Sequence, residues 1–140
     1  MKLIQTSNTF AQKVPSHALI NIGKVDRKVD CGRRIFCTNQ DSINIDCIGY
    51  YLVNLTLVVK NEEASAVTLA LNANNVISES SKIVETYVGG DIKTLNLSKI
   101  VRLEGGCPKF PTGILKLQLV NLSECEIEVQ KLNFSVIKID

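Results

Sequence analysis

From residue 43 onward, apolar residues recur at every second position, the signature of strands with one face buried. Tyr51, Val53, Leu55, Leu57 and Val59 form one run, and Val67, Leu69 and Leu71 a second. Leu95, Leu97, Val101 and Leu103 form a third, and Leu115, Leu117 and Leu119 a fourth. No comparable stretch repeats at helical spacing. The intervals carry turn chemistry: Asn61-Glu62-Glu63, Asn74-Asn75, Gly89-Gly90-Asp91, Gly105-Gly106-Cys107-Pro108 and Asn121-Leu122-Ser123. Strands punctuated this often predict a sandwich or barrel. Upstream, shorter strands are expected near residues 18–22, 33–38 and 42–47. Pro15 interrupts regular pairing, which marks residues 1–17 as an N-terminal arm ahead of a β domain over residues 18–140.

Two departures from simple alternation carry information. In the last run Ile127 and Val129 are odd-numbered whereas Leu132, Phe134 and Val136 are even, so one extra residue near Gln130 and Lys131 has to be absorbed, as a β-bulge does. The second departure concerns the face that should meet water. Tyr50, Leu52 and Val58 lie opposite the core-facing set of their strand, Ala66, Thr68, Ala70 and Asn72 do so in the next, and Ile137 and Ile139 do so in the last. A contiguous apolar patch of this kind marks a surface that another chain covers. Tyr50, Leu52, Val58, Ile137 and Ile139 are therefore the expected contacts of an oligomer.

Composition agrees with an all-β chain. The 140 residues are 45% hydrophobic but only 5% aromatic, with no Trp, so Val, Ile and Leu supply the apolar volume, as pleated sheets prefer. A domain of this length buries roughly 70% of the surface its unfolded chain exposes and folds without staples. No run approaches the ~18 apolar residues of a membrane span, and MKLIQTSNTF lacks the apolar core of a signal peptide. Five cysteines, Cys31, Cys37, Cys47, Cys107 and Cys125, are an odd, irregularly spaced set that reads as reduced, buried thiols rather than a disulfide framework.

The net charge of +2 is unevenly spread: residues 1–34 hold seven Lys and Arg against two Asp. Lys2, Lys13, Lys24, Arg27, Lys28, Arg33 and Arg34 are either solvated charge or the means of docking onto an acidic protein surface. Nucleic acid is not expected, because aromatics interleaved with basic residues on one sheet face are missing.

Catalytic equipment is sparse. His17 is the only histidine and falls in the expected arm, away from any paired nucleophile. Cys31, Cys37 and Cys47 lack the Cys-x-x-Cys knuckle of a zinc module, so neither metal nor cofactor is expected. Glu62-Glu63 and Glu124, Glu126 and Glu128 read as solvating acids rather than a glycosidase pair, and the glycine pairs precede no helix that would form a phosphate loop. Asn54, Asn96, Asn121 and Asn133 each open an N-x-S/T triplet, read here as a consequence of strands rich in Asn, Ser and Thr.

At Gly49-Tyr50-Tyr51-Leu52-Val53 the chain resembles the complement/tumour-necrosis-factor-like jelly rolls, whose central strand opens Gly-x-Tyr-x-apolar. Val67-Thr68-Leu69-Ala70-Leu71-Asn72 followed by Asn74-Asn75 resembles that family's alternating strand running into an Asn-Gly hairpin, with Asn75 in place of Gly. Phe134-Ser135-Val136-Ile137-Lys138-Ile139 resembles its closing strand. The resemblance covers residues 18–140 and implies a jelly-roll β-sandwich of about eight to ten antiparallel strands, assembled as a homotrimer. Such domains occur in phage head fibres and decoration proteins and at the tips of spore-surface glycoproteins. The first expectation is thus a non-enzymatic virion component, made in the host cytoplasm, that docks on a capsid. The alternative is a receptor- or glycan-binding tip of a fibre or bacterial surface protein, for which Phe110 and Tyr87 are the candidate loop aromatics.

Overall fold

A computed structural model describes residues 1–30, 32, 34–104 and 114–140. Their regular structure is strand apart from one 3-10 turn at Glu79–Ser81. The strands are β1 (Leu3–Asn8), β2 (Gln12–Val14), β3 (Lys24–Val29), β4 (Phe36–Thr38), β5 (Ile43–Ile45), β6 (Gly49–Asn61), β7 (Ala66–Ala73), β8 (Lys82–Thr86), β9 (Asp91–Leu103), β10 (Leu115–Asn121) and β11 (Ile127–Lys138). One sheet runs β3-β1-β11-β6-β9, with β2 also on β11, and the other runs β4-β5-β10-β7-β8. No helix among the described residues is long and apolar enough to cross a membrane.

The pairing is nested. β7 pairs with β8, β6 with β9, β5 with β10 and β1 with β11, as in one long antiparallel ribbon whose tip is the β7–β8 hairpin. Successive pairs fall in alternate sheets, and rolling the ribbon up brings β10 beside β7 and β11 beside β6. That rolled ribbon is the jelly-roll path, with β2, β3 and β4 added at its margins.

The alternation explains the core. Tyr51, Val53, Leu55, Leu57 and Val59 of β6 are at most 3% exposed and face Phe36, Ile43, Ile45, Leu69, Leu117 and Leu119 from the other sheet. Each such side chain contributes roughly 1.5–3 kcal/mol through burial. The Tyr51 ring meets Phe36 edge to face at 6.3 Å, and its hydroxyl donates to the Cys47 carbonyl, so the one polar atom of that ring is satisfied. Tyr87 is likewise buried and donates to the Val59 carbonyl at 3.0 Å. The expected bulge is present: pairing of β11 with β6 shifts between Val129 and Lys131, after which Leu132, Phe134 and Val136 point inward. Asn74 and Asn75, with φ of 51° and 65°, form a two-residue turn between Ala73 and Val76, which exchange backbone hydrogen bonds at 3.0 Å.

Residues 1–17 are not an arm. β1 is sandwiched between β11 and β3, β2 pairs with β11, and Ile4 and Val14 are buried. Pro15 follows the end of β2 and so removes no ladder bond. Residues 18–22 form only a single bridge, Leu19 to Val120, although Ile20 and Ile22 are buried. The strand in this region is instead β3, whose positions are nearly all exposed and which therefore shows no apolar alternation. The expected strands at 33–38 and 42–47 contract to β4 and β5. Asp30 turns the chain between the sheets by accepting the Ile35 and Phe36 amides at 3.1 and 3.2 Å. Burial works to raise the Asp30 carboxyl, but those two amides and the Lys28 ammonium outweigh it and hold the group below the usual carboxylate range.

Candidate interaction surface

The outer face of the six-stranded sheet is divided into rows by the strand register. One row crosses all five strands of the main path: Val29 opposes Leu3, Leu3 opposes Ile137, Ile137 opposes Leu52 and Leu52 opposes Ile100. Every member is apolar. Leu3 is shielded by its neighbours, Val29, Ile137 and Leu52 are half-buried, and Ile100 is 56% exposed. Tyr50 lies two residues along β6, with the Arg102 guanidinium 5.2 Å from its ring centre, a cation–π contact on an open surface. Exposed Ile139 donates its N–H to the Tyr50 carbonyl, and the Tyr50 N–H is held by the Asp140 carboxylate at 3.1 Å. Gly49, at φ +148°, lies beneath Lys138 and Asp140, whose side chains occupy the place a Cβ would take.

The next two rows are polar. Gln5, Ser135, Asn54 and Ser98 oppose one another across β1, β11, β6 and β9, and Ser7, Asn133, Thr56 and Asn96 form the row beside them. Three of the N-x-S/T triplets thus lie on adjacent antiparallel strands, so that each amide faces a hydroxyl. Ser98 donates to Asn54 Oδ1 at 2.8 Å and Thr56 to Asn96 Oδ1 at 2.9 Å. The fourth triplet behaves differently: Asn121 is buried, and its amide donates to the carbonyls of Val14, Pro15 and Cys125.

The structure therefore gathers Tyr50, Leu52, Ile137 and Ile139 at one end of the face. Val58 does not join them; it opposes Lys131 and Thr94 beyond the polar rows. Leu3, Val29 and Ile100 belong to the surface and were missed. Ile100 was legible from its even position, but Leu3 was hidden by reading residues 1–17 as an arm, and Val29 by the lack of apolar alternation around it.

The basic residues are dispersed. Lys24, Arg27 and Lys28 lie on edge strand β3, Lys28 paired with Asp30 at 3.1 Å, and Lys2 precedes β1. Arg34 follows β3 and donates to Cys37 Sγ at 3.3 Å, whereas Lys13 lies on β2 opposite Glu128. Arg33 falls outside the described residues. Charges on β3 also keep an open sheet edge from pairing with a stray strand.

Of the thiols, Cys37 is exposed and Cys47 and Cys125 only half-buried at the core margin, against the expectation of buried cysteines. Cys31, Cys107 and Phe110 lie outside the described residues. His17 occupies a turn at φ +62° and donates its N–H to the Asn121 carbonyl. No group of three or more His, Cys, Asp or Glu suited to a metal ion occurs among the described residues. Tyr87, offered above as a loop aromatic, is buried; Phe10, between β1 and β2, is 77% exposed.

No protein-family model and no curated protein matches this sequence. Solved structures do match its fold. The Eiger TNF from S. frugiperda superposes with a TM-score of 0.75 at 11% identity, covering 100% of this chain and 94% of that one. The globular domain of zebrafish complement 1qA protein gives 0.70 at 8% identity, covering 100% and 98%. The chain shares the jelly-roll fold of these domains. The PRD1 vertex protein P5 shares the jelly roll with a TM-score of 0.55 at 17% identity, over 100% of this chain and 74% of that one. Within the jelly roll, Gly49, Tyr51 and Val53 are the start of the central strand: Gly where side chains crowd the backbone, Tyr and Val in the core.

Proposed function

We propose that this jelly roll is a non-enzymatic structural virion protein, a homotrimeric head decoration or head-fibre-like component that docks on a capsid after being made in the host cytoplasm. The observation that carries self-association is the apolar row from Val29 to Ile100, flanked by Tyr50 and Ile139. An isolated sandwich has no use for a solvent-facing apolar band across a whole sheet, and a second copy removes it from water. The likeness to a virion vertex protein supports the virion setting. Lys24, Arg27 and Lys28, on edge strand β3, lead the docking charges in this reading, joined by Lys2, Lys13, Arg33 and Arg34 of the basic N-terminal segment.

Native mass spectrometry at micromolar concentration tests the assembly: a trimer is expected, and a monomer overturns the reading. Antibody labelling of purified virions by electron microscopy tests the setting, with labelled heads expected. The second reading, a receptor- or glycan-binding tip module of a fibre or bacterial surface protein, is favoured by one observation, a cleft of mixed polar and apolar lining beside exposed Phe10.

A further inference from the structure

A cleft of about 650 Å³ opens beside the β1–β2 turn, against the segment that leads into β3. That volume lies in the range of small-ligand sites. Its walls are fixed by hydrogen bonds. The Gln12 side-chain amide grips the backbone of Asn21 twice, Nε2 donating to the carbonyl at 2.8 Å and Oε1 accepting the N–H at 3.0 Å. Asn21 Oδ1 in turn accepts the Gly23 N–H at 2.8 Å. Gly23, at φ +84°, packs so closely on β1 that a Cβ there would fall 1.9 Å from the Ser7 carbonyl oxygen. Only glycine fits, and the cleft is formed before any ligand arrives.

What remains unused points to a ligand class. Asn21 Nδ2, the Gln40 amide, the Asp26 carboxylate and the Thr9 hydroxyl line the cleft without a hydrogen-bond partner among the described residues. Phe10 stands at the rim with its ring in water, its backbone held by Asn8 Oδ1 at 3.0 Å. Lys24 and Asp26 balance in charge, so the cleft offers no net attraction to a phosphate or a nucleic acid. Phe10 and Ala11 are its apolar side chains, too few to enclose a lipid chain. An open aromatic face beside planar amides and one carboxylate suits a molecule with an apolar C–H face and a ring of hydroxyls that both donate and accept.

We infer that the cleft between Phe10, Asn21, Asp26 and Gln40 binds a neutral saccharide, stacked on Phe10 and held by the free amides and carboxylate. The inference rests on the second reading above and is independent of self-association. Trisaccharides of glucose, of galactose and of N-acetylglucosamine, each at millimolar concentration, are the probes, added to the isotope-labelled full chain and followed by backbone amide NMR. At least one of them shifts the signals of residues 8–12, 21–24 and 40, and Phe10→Ala weakens that binding about tenfold while Phe10→Tyr retains it. No shift with any of the three, a shift confined to the Leu52 row, or binding untouched by Phe10→Ala overturns the inference. Mass measured on the same samples separates the two ideas: a trimer that ignores all three sugars refutes the cleft alone, and a monomer that binds one refutes the self-association alone.

Discussion

Strand β6 has two faces made from the same thirteen residues, and they obey different rules. Its inward face is uniform: Tyr51 to Val59 at odd positions are all apolar and all buried. Its outward face is zoned, with Tyr50 and Leu52 apolar, Asn54 and Thr56 polar, Val58 apolar again and Lys60 charged. The neighbouring strands repeat the zoning in register, which turns single positions into rows. A core needs only low polarity and the right volume, so uniformity suffices. A proposed contact surface also needs edges, and the polar rows give the apolar row an edge.

The largest effect that separates the two faces is expected at adjacent tyrosines. Tyr51→Ala removes a fully buried ring, its contact with Phe36 and its hydrogen bond to Cys47, and should destabilise the fold by about 3–5 kcal/mol. Tyr50→Ala, at a ring that is 42% exposed, should leave the monomer within ~0.5 kcal/mol of the parent and weaken assembly instead. Thermal unfolding together with native mass spectrometry reads both. The reverse pattern would mean that the register of β6 is inverted.

Next in size is a substitution inside the row. Ile100→Asp places a charge at the exposed end of the row and, if that row is the proposed contact, should cost assembly about 2 kcal/mol or more. The same change at Ile92, a comparably exposed isoleucine of β9 that opposes Lys60 outside the row, should cost assembly little. Sedimentation equilibrium of the two variants side by side decides whether the row or general surface apolarity drives association.

How much of this was legible in the sequence follows from what period two reports. Alternation identifies a strand whose faces differ, so β6, β7, β10 and β11, the Val129–Lys131 bulge and the inward residues of those runs were readable, whereas Ile4, Val14 and Tyr87 of the core were not. β3 was not, because an edge strand with charges on both sides has no faces to contrast. β1 and β2 were lost to Pro15, which ends a strand without forbidding one before it. The rows were invisible for a deeper reason: which residue of β9 faces Leu52 is fixed by register, and register is a property of pairs of strands. The Phe10 cleft depends in the same way on Asn21 and Gln40 arriving from elsewhere in the chain.

Alkaline pH probes the core face without mutation. Burial pushes the Tyr87 phenol up to about 12, and raises Tyr51 further still, with the Cys47 thiol adding to the latter shift. In the unfolded chain both phenols ionise near ~10. The unfolded state therefore binds fewer protons than the folded one between those values, and stability falls with rising pH. Below about pH 10 the contribution of the two rings should be intact, and denaturant midpoints should drop steadily from there to about pH 12. Tyr87→Phe should flatten part of that slope. An unchanged midpoint across the window would place both rings in water.

The smallest effect lies in the polar rows and says what covers them. Thr56 and Asn96 are directly opposed and hydrogen-bonded at 2.9 Å, and on an open surface water replaces either partner when the other is removed. A double-mutant cycle of Thr56→Val and Asn96→Ala should therefore give a coupling of only about 0.5 kcal/mol in dilute monomer. If a second copy closes over the apolar row, the polar rows beside it lose their water as well. A hydroxyl or amide left without its partner then bears its full desolvation cost, about 1–3 kcal/mol, and the same cycle measured on the assembled protein should give a larger coupling. Equal couplings in the two states would mean that the contact stops at the Leu52 row and that the N-x-S/T triplets serve register alone. A rise on assembly would extend the interface across Asn54, Thr56 and Asn96 toward Val58, and would return that residue to the contact surface it was expected to join.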